Sequence, residues 1–142
     1  MEVGHFPDIV LDPSDGSLHM VYLIRDGTSS GLIRYAHRTA TGTTFTDVTT
    51  LDDFTVGSAG ARDIATVALD SSGEPVVAIQ NRSELILATG GDARFQLESF
   101  PAAAGLALRQ QTSIGVTSGD QIHVIFWLED GSDDLVCHGT GS

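Results

Sequence analysis

The chain has 142 residues, 41% of them hydrophobic and 18% charged, and with 16 Gly and only 4 Pro it fits neither a disordered segment nor a collagen-like repeat. Acidic residues number 19 against 7 basic ones, all Arg, and a formal net charge of -12 repels nucleic-acid phosphates and anionic lipid, so neither nucleic acid nor a membrane surface is expected as a partner. The single cysteine, Cys137, excludes an internal disulfide framework and a multi-cysteine zinc site. In chain order, runs rich in β-branched and aromatic residues predict strands ending at Asp12 and over Leu18 to Arg25, Leu32 to Thr39 and Thr44 to Leu51, followed by a long exit loop around Asp53 to Arg62. A second set covers Ile64 to Asp70, Pro75 to Asn81, Leu85 to Thr89 and Arg94 to Phe100, with turns at Ser72-Gly73 and Gly90-Gly91-Asp92. The stretch Ala102 to Leu108 is readable as one helical turn or as coil, and Thr112 to Val116, Ile122 to Glu129 and Leu135 to His138 complete the set.

Three of these segments are copies of one pattern. Asp8 to Tyr22, Ala65 to Ile79 and Thr112 to Phe126 each read as strand, Gly turn and strand, anchored at Asp12, Asp70 and Thr117. A period of about 50 residues belongs to propeller blades rather than helical solenoids. The expected fold is therefore all-β: a single chain-long unit of three β-propeller blades with four, four and three strands, over about residues 8–52, 63–102 and 109–142. Three blades cannot close a ring, since the first and last would each present an apolar face, so a homodimer completing a six-bladed ring is expected. Because the third blade lacks a fourth strand, Met1 to Phe6 of a partner copy is expected along its outer strand near Leu135 to His138.

The run Val3-Gly-His-Phe-Pro-Asp-Ile-Val-Leu-Asp12, then Gly16, Leu18-His19, Tyr22 and Leu32-Ile-Arg-Tyr-Ala36, resembles the repeat of sialidase-like and related bacterial β-propellers. The resemblance covers almost the whole chain and implies the fold. The Asp-box of sialidases, Ser-x-Asp-x-Gly-x-x-Trp, is absent, and the one tryptophan, Trp127, lies within a strand. A sialidase of this resemblance would need three clustered arginines, a tyrosine nucleophile and an aspartic acid. Yet Arg34 and Arg38 belong to a third strand, Arg25 and Arg82 flank outer turns, and only Arg62 and Arg109 precede first strands.

Other chemistry is thinner. His19 and His123 occupy equivalent positions, with Val76 between them in the repeat, which points to packing. Together with His5 and His37 they show no ligand spacing, so no metal is expected. The acidic runs Asp12 to Asp15 and Glu129 to Asp134 lack the full calcium-loop pattern and read as turns. No cofactor motif occurs. The expected function is a non-catalytic binding module for a carbohydrate or small polar ligand, with His5, Phe6, Arg62 and Arg109 lining one mouth of the channel; a sialidase-type hydrolase or a purely structural ring is the alternative. The opening Met-Glu-Val-Gly-His has neither the basic nor the apolar region of a secretory signal, which makes cytoplasmic residence the expectation.

Overall fold

The computed structural model of the chain describes residues 4–26, 30–55, 64–80, 84–91, 94–102, 106–130 and 133–141. Every regular element among them is a β-strand, and no helix is long and apolar enough to cross a membrane. Strands β1 (Gly4–Leu11), β2 (Leu18–Asp26), β3 (Ser30–Arg38) and β4 (Thr46–Thr55) form sheet one, and β5 (Ile64–Leu69), β6 (Pro75–Gln80), β7 (Glu84–Thr89) and β8 (Gln96–Pro101) form sheet two. Sheet three holds β9 (Ala107–Val116), β10 (Ile122–Asp130) and β11 (Asp133–Gly141). Each sheet is an antiparallel meander in which chain neighbours pair, because short turns leave a strand nowhere else to go.

Sheet two is the filling of a stack. All six residues of β6 are buried, as befits a strand covered on both faces. Its alternate residues part company: Val77 and Ile79 pack with Ile86 and Ala88 against Val21, Leu23, Ile33, Tyr35 and Leu51 of sheet one. Val76, Ala78 and Leu85 pack against Leu108, Ile122 and Val124 of sheet three. The first strands sit side by side, β5 against β1 on one flank and β9 on the other, and the Asp8 carboxylate accepts a hydrogen bond from the Val67 amide across the β1–β5 junction at 2.9 Å.

The registers make the repeat regular enough to compare faces. Leu18, Pro75 and Ile122 open the second strands opposite Leu11, Leu69 and Val116, so His19, Val76 and His123 are equivalent, as are Val21, Ala78 and Ile125. Val21 faces sheet two and Ala78 faces sheet three, whereas Ile125 is 48% exposed on the outer face of sheet three. On the opposite faces, Val77 and Val124 pack on the preceding sheet, while their counterpart Met20 lies beside Ile9, which is 52% exposed on the outer face of sheet one. The two ends of the stack thus present the two unlike faces that meet at each internal junction.

Several strand limits differ from the sequence reading. Asp53 does not begin a loop: Asp52 to Thr55 pair with β3 from Ile33 back to Ser30, because satisfying backbone amides outweighs the poor strand preference of Asp. Ala107 and Leu108 are neither helix nor coil but pair with Glu129 and Leu128, the long β10 drawing β9 out to match it. Gly4 and His5 pair with Ile24 and Leu23 of their own sheet, so this part of the N-terminal segment is already engaged within the chain rather than waiting for a partner's edge.

Candidate functional site

The C-terminal ends of β1, β5 and β9 carry the three repeat anchors, and each closes its own hairpin. Asp12 Oδ1 accepts from the Ser14 amide at 2.7 Å, Asp70 Oδ1 from the amides of Ser72 and Glu74 at 2.8 and 2.9 Å, and Thr117 Oγ1 from those of Gly119 and Gln121 at 3.3 and 3.2 Å. A side-chain oxygen on the residue that opens a tight turn, accepting from the amide two residues on, is therefore what the three units share. Gly16 and Gly73 take positive φ at the close of these turns, and Asp120 does the same at +59°, a conformation Asp tolerates better than most residues. Its carboxylate reaches the neighbouring turn and accepts from the Ser71 amide at 2.7 Å and the Ser71 hydroxyl at 2.9 Å. The Asp12 carboxylate in turn lies against Gly73, where any β-carbon would collide with it.

These bonds explain the first acidic run, Asp12 to Asp15; the second, Glu129 to Asp134, spans the paired ends of β10 and β11, with residues 131–132 outside the described ones. Burial raises the Asp70 carboxyl, but hydrogen bonds from Ser72, Glu74 and Gly73 outweigh it and hold the group below the usual carboxylate range. The Ser17 hydroxyl and amide do the same for Asp15. Their oxygens serve turns, and among the described residues no group of three or more His, Cys, Asp and Glu could hold a metal ion.

At the opposite end, β1 and β9 both break register. His5 pairs with Leu23 and Asp8 with Val21, leaving Phe6 and Pro7 against Tyr22 alone; Arg109 pairs with Trp127 and Thr112 with Phe126, leaving Gln110 and Gln111 extra. Asp8 and Ser113 stand opposite the equivalent residues Val21 and Ile125, so the two bulges lie at the same level of neighbouring strand ends, with the start of β5 between them. Phe6 is 43% exposed and has φ of +49°, an outlier for a bulky residue and a stranger one before proline. Of the sequence-predicted site, the structure sets the backbones of His5, Phe6 and Arg109 at this one end; Arg62 lies outside the described residues. Sequence reasoning misses the bulges, although the polar Gln110-Gln111 pair in an otherwise strand-like run is a usable signal.

His19 is no ligand. It is 6% exposed, its Nε2 meets Ser17 Oγ at 3.1 Å and its Nδ1 meets the Tyr35 hydroxyl at 2.6 Å, while His37 lies 4.9 Å away ring to ring. Burial foremost, and then the His37 imidazole, push its pKa below the ordinary 6.5, against a smaller pull from Asp12 and Asp15.

Sequence reasoning also misses a groove between sheets two and three. A cavity of about 650 Å³ is lined by Asp70, Leu87, Leu97, Phe100, Asp120 and Gly141, and it continues into a smaller one of about 170 Å³ bordered by Leu85, Val124, Phe126 and Gly139. It lies where sheet three has three strands among the described residues and sheets one and two have four. No protein-family model matches the chain, and no curated protein matches it.

Proposed function

We propose that the chain is a non-catalytic binding module built as half of a β-propeller, two copies closing a six-bladed ring, which holds a carbohydrate or another small polar ligand at the mouth formed by the N-terminal ends of β1, β5 and β9. The observation that carries this reading is the pair of bulges at one level of β1 and β9, beside His5, Phe6 and Arg109. Bulges re-aim side chains out of the ladder, and a left-handed Phe6 is a conformation that persists only where its surroundings enforce it, as they do around binding sites.

Binding is favoured over sialidase chemistry by what the candidate catalytic groups already do. Tyr35 is buried with its hydroxyl on His19, and the Arg38 guanidinium donates to the Gly42 carbonyl at 2.8 Å. The Tyr35 hydroxyl is not open to a sugar. A glycan array followed by titration of the best ligand tests the reading: Phe6→Ala and Arg109→Ala should each weaken binding ~10-fold or more with an unchanged Tm. An affinity untouched in both variants overturns the site. No saturable ligand on the array assigns the structural ring, and turnover of a fluorogenic sialoside assigns the hydrolase.

A further inference from the structure

β11 is an edge strand among the described residues, pairing with β10 alone, whereas the third strands of the other sheets, β3 and β7, are each covered by a fourth, β4 and β8. What a fourth strand brings is visible in sheet two. Just ahead of β8, Phe95 packs into the wedge between sheets one and two, edge-on to Tyr35 with ring centroids 5.0 Å apart. Tyr35 pairs with Val21 and Leu87 with Ala78, so Leu87 is the counterpart of Tyr35 one sheet further on. Leu87 borders the 650 Å³ cavity, the space where a Phe95 counterpart would sit if sheet three had a fourth strand. Nothing on β11 fills it, since Gly139 and Gly141 stand on its groove side, and Phe100 of β8, opposite Leu85, is left 42% exposed.

We infer that this groove is a strand-addition site for an extended peptide segment of another protein, which pairs antiparallel with β11 and inserts an aromatic side chain into the cavity beside Leu87. Unpaired amides along an edge give such a segment its affinity, and the alternate pockets give it selectivity. Direction follows from the ladder. A strand antiparallel to β11 begins beside Thr140 and Gly141, the end of the groove where Asp70 and Asp120 lie, so a cationic residue is favoured at the start of the segment. β8 itself follows that recipe, with Arg94 and Phe95 immediately before Gln96.

The probe is accordingly a fluorescein-labelled peptide with the sequence of residues 94–101, followed by fluorescence anisotropy against the intact protein. Saturable binding is expected, weakened ~10-fold or more when the peptide phenylalanine matching Phe95 is Ala. N-methylation of the peptide amides that face β11 should abolish binding, and N-methylation of the outward set should not. On the protein, Gly141→Phe plugs the groove, and no atom lies within 4 Å of a β-carbon placed there, so the fold should be kept while binding is lost. Absence of binding to the intact protein overturns the inference, as does equal binding of both N-methylated peptides. A particle mass that halves when peptide is added assigns the edge to a second copy of this chain and overturns it too.

Discussion

The Nδ1 of His19 lies 2.6 Å from the hydroxyl of Tyr35, and the same diagonal pair recurs in sheet three, where His123 Nδ1 lies 2.9 Å from His138 Nε2 with the rings stacked at 2°. Sheet two has Val76 and Leu87 at these positions. One packing site therefore exists in a polar and an apolar edition. Buried beside sheet two, the neutral His19 ring offers one donor and one acceptor, and the hydroxyls of Ser17 and Tyr35 answer both.

Removing one partner should cost more than removing both. Tyr35→Phe leaves an imidazole nitrogen buried and unanswered, which destabilises by about 1–3 kcal/mol. The double variant His19→Val with Tyr35→Leu copies the apolar edition found in sheet two and should recover part of that loss. Urea unfolding of His19→Val, of Tyr35→Leu and of the two combined gives the coupling energy; simple additivity would mean that the pair does not act as a unit.

The same imidazole sets a pH dependence. Its pKa is lowered in the fold, mainly by burial, so below about pH 6.5 the unfolded chain binds more protons than the folded one. Stability should be intact above that value and should decline as pH falls toward the lowered folded pKa. Asp15 and Asp70, also lowered, hold stability above their ordinary 3.8 and release it only as pH falls below that. Urea midpoints at about pH 7.5 and about pH 5.5 separate the windows. The His19→Val, Tyr35→Leu variant should lose less stability between them than the original chain does, and a slope equal to that of the original chain would remove His19 as the cause.

The turn end supplies a test of backbone strain against side-chain bonding. At φ of +59°, Asp120 both tolerates a left-handed backbone and ties Ser71 down through its carboxylate. Asp120→Asn keeps the tolerance and an acceptor, Asp120→Gly keeps only the tolerance, and Asp120→Ala loses both; the free energy of unfolding should fall in that order, by roughly 1–2 kcal/mol from first to last. Gly73→Ala should be worse than any of them, since a β-carbon there meets the Asp12 carboxylate at a φ of +85°. If Asp120→Ala matches Asp120→Asn, the link to Ser71 contributes nothing.

Much of this architecture is legible in the sequence because turns and alternation are local. Asp12, Asp70 and Thr117 announce hairpins by the bonds their own side chains make. The strands that escape are long-range. Asp52 to Thr55 and Ala107 to Leu108 become strand because β3 and β10 have amides to satisfy there, a fact recorded in the partner rather than in the segment. The bulges at Phe6 and Gln110 are hidden for the same reason, since register is a property of two strands. The sheet two to sheet three groove needs a third level of knowledge, namely which residue of one sheet stands in for which residue of the next.

The final prediction follows from the unlike outer faces. The face that carries Ile9 and Met20 has the orientation used by Val77 and Val124 to cover a preceding sheet, and the face that carries Ile125 has the orientation of Val21 and Ala78, which are covered by a following one. Each is the other's natural cover. Arg34, opposite Tyr22 on the Ile9 side, keeps a buried Nε without a hydrogen-bond partner, a donor that an approaching sheet could answer. In a two-chain ring both junctions join unlike faces, so light scattering should report twice the 14.9 kDa of the chain. Ile9→Glu and Ile125→Glu each put a carboxylate into both junctions at a side chain already half exposed, so each should yield a folded monomer. Mixing the two variants leaves one junction with both faces intact, and a weak pair should reappear that neither variant forms alone. A dimer that pairs like faces would respond to only one of the substitutions, and a stable monomer for the unsubstituted chain would rule out the two-chain ring.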